Sequence, residues 1–365
     1  MRFALPPFTP PDFTTPALAN APLAVFEPAP ADGVAPDNFH ATSVFPEYLH
    51  LAPGRWEVLR QSRMDCVVVA GAAGGLAVKE FRNLTKGEMV ACGRHENGED
   101  GIFVHTKPFD FPAHVAEKFA FRSQLTRETS FSIDYDELYR LLAFEKQNGF
   151  ILWVLGPAVV FDHDAREALV RLVEGGFVHG LLAGNALATH DAEAALYGTA
   201  LGQELYAKHP VPQGHYKHLD ALNAVRKAGS LRKAITLGMI NSGVMHALVR
   251  GNIPFVLAGS IRDDGPLPEV VADAYQAQDR MRALARQATT VIALATQLHT
   301  IATGNMVPSY TVSADGMIRP VYFYTVDMSE FAVNKLANRG SLTARSILTN
   351  VQDFMVTVAR GLKKK

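Results

Sequence analysis

From residue 151 onward the chain repeats one unit: a short apolar run, a loop of small or polar residues, then a helical stretch. The runs are 151–155, 180–183, 255–258, 291–295 and 321–326, with a further candidate at 346–349. A strand that stays apolar at successive positions is buried on both faces, and strands alternating with helices form a parallel sheet. The fold class is therefore α/β, a parallel sheet with helices on both faces.

The stretch IPFVLAGSIRDDGPLP at 253–268 adds a functional hint. A buried strand runs into Gly259, Ser260, Arg262, Asp263, Asp264 and Gly265, and ligands of open α/β sheets sit at the carboxyl ends of strands. Arg262 is suited to clamp a carboxylate bidentately. The adjacent Asp263 and Asp264 can divide a structural and a chemical role, or the three charges can simply shape the loop.

Other loops follow the same logic. Gly184-Asn185-Ala186 precedes an Ala-rich helical stretch, and its glycine either admits a phosphate to a helix N-terminus or makes a left-handed turn. His190-Asp191 reads as a base with its carboxylate, or as a helix-start Asp beside an exposed His. Thr303-Gly304-Asn305-Met306 reads as a second small-residue loop. Asp327, at a strand end, either accepts bonds from ribose hydroxyls or caps a helix beginning near Ser329. The segment Gly214-His215-Tyr216-Lys217-His218 gathers two imidazoles and an amine suited to proton transfer, or is a solvated loop. It lacks a carboxylate or cysteine partner at metal spacing, so no metal is expected. No GxGxxG follows a strand, so the usual dinucleotide fingerprint is missing.

A chain of 365 residues predicts two to three domains of ~150 residues. Residues 1–34 are rich in Pro and Ala and predict an extended arm unable to supply helix or sheet ladders. Residues 35–110, with short β-branched runs and Gly-rich turns, predict a small β-rich domain. Residues 111–148 predict a helical connector ending at Asn148-Gly149, and 149–365 the Rossmann-like domain. A formal charge of −1 gives no attraction to nucleic acid or acidic membranes, and the terminal KKK reads as a solvated tail. Two cysteines, Cys66 and Cys92, fit a reducing compartment. With no apolar run near ~18 residues and no signal peptide, a cytoplasmic protein is expected.

The segments LLAGNALATHDAEAALYGTALG, LNAVRKAGSLRKAI, VLAGSIRDDGPLPE, LATQLHTIATGNM and VDMSEFAVNKLANRGS together resemble the LOR/SDH conserved-domain family, across roughly residues 36–354. Its members include archaeal ornithine cyclodeaminases and the C-terminal part of cyanobacterial arginine dihydrolases. GHYKHLDALNAVRKAG is also similar to the His/Lys segment of deoxyhypusine synthase. The resemblance implies a deoxyhypusine-synthase-like sheet that holds NAD without GxGxxG, a homo-oligomer, and an amino-acid substrate.

It implies conversion of ornithine to proline and ammonia, with a saccharopine- or opine-type dehydrogenation on the same scaffold as a first alternative; a non-catalytic NAD-binding regulator is an alternative of a different class. The residues expected to move protons are Asp264 and His218, with Arg262 or Lys217 on the substrate carboxylate. Gly184, Asn185, Ala186, Ser260, Asp263, Gly304, Asn305, Met306 and Asp327 are expected around NAD. Two departures bear on substrate choice: the Pro-rich arm stands where longer members carry a ferredoxin-like domain, and 122–130 lacks the expected serine-rich form.

Overall fold

The computed structural model describes residues 3–71, 75–110, 132–263, 265–313, 315–329 and 342–363. Asp264 and the segment 122–130 lie outside them.

The N-terminal part contains β1 (Val25–Pro28), β2 (Glu47–Ala52), β3 (Arg55–Val58), β4 (Val67–Ala70), β5 (Leu76–Lys79), β6 (Met89–Cys92) and β7 (Ile102–Val104). They form two antiparallel sheets, ordered β1-β6-β4-β5 and β3-β2-β7. Strand β4 shows why its valines are consecutive: Val67 and Val69 enter one buried cluster, while Val68 enters another with Leu49, Leu59, Ala91 and Ile102. Cys66 and Cys92 are buried free thiols.

The first 34 residues depart from the expected arm. They supply the helical turn α1 (Pro16–Ala19) and β1, which pairs antiparallel with β6 from Val25↔Cys92 to Pro28↔Met89. The physical reason lies in position: β1 is an edge strand, where a proline needs no partner for a missing N–H. Phe13 stacks on Trp56 with centroids 5.0 Å apart, anchoring the stretch before it.

Helix α2 (Ser132–Asn148) leads into β8 (Ile151–Leu155), α3 (His163–Glu174), β9 (Gly180–Gly184) and α4 (Asn185–Tyr197). A two-residue ladder, β10 (Thr199–Ala200) with β11 (Gln203–Glu204), precedes α5 (Gly214–Ala228), α6 (Leu231–Thr236) and α7 (Val244–Arg250). Then come β12 (Phe255–Ala258), α8 (Ala274–Ala285), β13 (Thr290–Leu294), α9 (Gln297–Met306), the hairpin β14 (Tyr310–Val312) and β15 (Ile318–Pro320), β16 (Tyr322–Asp327), β17 (Thr343–Leu348) and α10 (Val351–Lys363).

Six parallel strands lie in the order β12-β9-β8-β13-β16-β17. Counted along the chain this is 3-2-1-4-5-6, the Rossmann order, whose switch point lies between β8 and β13. Alternate residues feed opposite cores. Ile151, Trp153 and Leu155 pack with α2 to α7 and α10, whereas Leu152 and Val154 pack with α8 and the end of α9. No helix among the described residues is long and apolar enough to cross a membrane.

Candidate functional site

The carboxyl ends of β8 and β13 touch. Gly156 donates its N–H to Leu294 O at 2.9 Å, and a Cβ on Gly156 would lie 2.1 Å from the carbonyl oxygen of Ala295. Ala295 itself is a non-glycine residue at φ 51°, a left-handed conformation that carries strain of about 1–3 kcal/mol. Thr296 then occupies the N-cap position of α9, whose first turn carries His299. His299 lies against the end of β9, with its Cε1 3.3 Å from where a Gly184 Cβ would stand. Its Nδ1 is buried without a partner among the described residues, and burial pushes its pKa below the ordinary value. Strain and an orphaned ring nitrogen thus coincide at the switch point, which is where such features mark ligand sites.

Beside it, Gly184 has φ −98°, which excludes the left-handed turn, and α4 begins directly at Asn185. The Asn185 side chain accepts from Thr189 Oγ1 and from Leu267 N, both at 3.1 Å, so it ties the start of α4 to the loop after β12. Ala186 is half-buried in the same turn. In that loop Asp263 accepts from Ser260 N at 2.8 Å, and Ser260 Oγ accepts from Arg262 N at 3.1 Å. Ser260 and Asp263 therefore shape the turn, while Arg262 is exposed.

The His/Lys segment is the start of α5 rather than a solvated loop, because Gly214 is seated on Gly202 so closely that a Cβ would lie 2.3 Å from its oxygen. The His218 ring lies 4.8 Å from that of His190, tilted by 34°. His190 Nδ1 meets Glu193 Oε2 at 2.9 Å, and Glu193 Oε1 accepts from Thr199 Oγ1 at 2.9 Å. Burial alone would raise the Glu193 carboxyl, but the bonds from His190 and Thr199 outweigh it and leave the pKa below the ordinary value. Burial, reinforced by His190, lowers that of His218. Lys217 places its ammonium 4.9 Å from the Tyr197 ring centroid.

The partner of His190 is thus Glu193, not Asp191. Asp191 is fully buried, accepts Arg166 Nε at 2.7 Å and receives the N–H groups of Val244 and Met245 at the start of α7. His190 is also buried, at 7% exposure, in the interior of α4. Phe161, five residues after Gly156, meets its ring edge-on at 5.1 Å.

Two other expectations change. Gly304, Asn305 and Met306 form the last turn of α9 rather than a loop, and Met306 is 1% exposed in the core beneath the sheet. They sit about 10 Å along the helix from its N-terminal turn. Asp327 ends β16 and accepts Ser329 N at 2.9 Å, a local turn bond; the helical segment expected beyond Ser329 runs outside the described residues. Neither Glu193 nor His299 stood out from the sequence. The available signals were an i, i+3 spacing from His190 and a place in the turn after a strand.

A family model described as arginine dihydrolase ArgZ-like, C-terminal, Rossmann fold, matches residues 138–358. The chain belongs to the ArgZ-like family. It is 38% identical over 340 residues to an ornithine cyclodeaminase of Methanopyrus kandleri, covering 93% of this chain and 78% of that one. A conserved LOR/SDH protein of Methanococcus maripaludis S2 superposes with TM-score 0.84 at 34% identity, covering 94% of this chain and 99% of that one. The ternary complex of AgrE with ornithine and NAD+ superposes with TM-score 0.59 at 31% identity, over 94% of this chain and 46% of AgrE. AgrE of Nostoc sp. is a bifunctional arginine dihydrolase/ornithine cyclodeaminase, so this ArgZ-like chain matches about half of it.

Proposed function

We propose that this chain is an NAD-dependent ornithine cyclodeaminase, converting ornithine to proline and ammonia. The observation that carries the reading is a buried histidine–carboxylate cluster on the helix that follows β9 of a 3-2-1-4-5-6 sheet, in a chain that matches ornithine cyclodeaminases over most of its length.

The crevice fits a dinucleotide. Its orphaned His299 Nδ1 offers a polar contact, and the N–H groups at the start of α4, Gly184 to Ala186, suit a pyrophosphate. Asp327 suits a ribose, and Ser260 and Asp263 border the same edge. NAD held there would supply reversible hydride acceptance at the substrate α-carbon, with no net change in the cofactor over a turnover.

The chain supplies the proton chemistry. His218, kept neutral near pH 7 by burial, takes the proton released by a substrate ammonium, and Glu193 holds the adjoining His190 in place. With the α-imine formed, attack by the side-chain amine needs that amine deprotonated, and the departing ammonia needs a proton back. Lys217 or Arg262 holds the substrate carboxylate, and Asp264 is a second proton-transfer group. The buried thiols fit a cytoplasmic setting, and a homo-oligomer is the expected assembly.

Incubation with NAD+ and ornithine tests the reading. Equal ammonia and proline without NADH accumulation supports it, whereas accumulating NADH assigns a dehydrogenase.

A further inference from the structure

We propose that His190, Glu193 and His218 form a binding site for one divalent transition-metal ion of the zinc or cobalt class. One donor atom from each residue lies within 4.8 Å of the other two. Bonds of ~2.0–2.2 Å to a tetrahedral ion put ligand atoms roughly 3.4 Å apart, so modest side-chain rotation closes the site. Two imidazoles and one carboxylate suit this class of ion, whereas calcium and magnesium take oxygen ligands.

The surroundings are those of a built site. His190 and Glu193 stand at i, i+3 on one face of α4, and His218 arrives from α5. Glu193 is fully buried, and His218 Nδ1 is buried without a partner among the described residues. The far oxygen of Glu193 is fixed by Thr199 Oγ1 at 2.9 Å and by Gly202 N at 3.4 Å, the outer bonds that orient a ligating carboxylate. Neither nearby cation pairs with Glu193: Lys217 lies over the Tyr197 ring and Arg166 pairs with Asp191. Three protein ligands leave a coordination position open to water or an amine. Resting on the cyclodeaminase reading, the ion would compete with the proton for His218 and inhibit turnover.

The test is metal binding by the full chain after chelator treatment, without ornithine or NAD, so it is independent of whether the chain turns over ornithine. Co2+ is followed by its visible absorption and Zn2+ by equilibrium dialysis. The expected result is one ion per chain, an intense Co2+ band of four or five coordination that Zn2+ abolishes, and at least tenfold weaker binding in Glu193→Gln and His218→Asn. His95→Asn, in the β-rich part, should bind as wild type. A Co2+ spectrum no different from the hydrated ion, or affinity unchanged in both variants, overturns the proposal. The wild-type spectrum decides the matter even where a variant fails to fold.

Discussion

Gly156 and Ala295 meet across the centre of the parallel sheet, so closely that a methyl group on the first would stand 2.1 Å from the carbonyl oxygen of the second. This contact fixes how the strands β8 and β13 part, and their parting makes the switch-point crevice. Because the obstructing atom is backbone, no side-chain rotation relieves it. Gly156→Ala should lose about 1–3 kcal/mol of stability, as overpacked sites do. Its affinity for NAD+ should fall further than that of a surface variant of equal stability. Urea unfolding and a fluorescence titration measure the two effects.

His218→Asn should lower turnover of ornithine by about 100-fold or more, the range for loss of a proton-transfer group. NAD+ binding should stay within about twofold of wild type. A variant that turns over normally would remove His218 from the chemistry.

Asp191 has a structural task. It is buried against Arg166 and caps α7, so Asp191→Ala strands a buried guanidinium and should cost about 3–5 kcal/mol. Chemical denaturation should report the loss directly, with a lower midpoint and an unchanged slope.

Acid should weaken the fold. Burial lowers the pKa values of His299, His179 and His218 below 6.5, so the unfolded chain binds protons that the folded chain refuses. Their contribution is complete above pH 6.5 and is lost as pH falls from there toward the depressed folded-state values. The urea midpoint should drop between pH 7.5 and 5.5, and His299→Gln should reduce that drop.

The sheet was legible because strands buried on both faces leave uninterrupted apolar runs, as Ile151–Leu155 does. The edge strand β1 was hidden by Pro28, whose missing N–H costs nothing at an edge. Gly304 suggested a loop but lies buried in the last turn of α9, in a chain segment where helix packing overrides the weak propensity of glycine. Glu193 was visible in principle, since Asn185, Thr189, His190, Asp191 and Glu193 interrupt an Ala- and Leu-rich helix and all five are buried. Its meeting with His218 depends on how α5 docks on α4, which no local spacing encodes.

The most direct measurement follows ammonia, proline and the NADH absorbance together after purified protein meets ornithine and NAD+. A cyclodeaminase gives ammonia and proline in equal amounts with no net NADH, from a catalytic quantity of NAD+. Stoichiometric NADH, or no product despite bound NAD+, would contradict that activity.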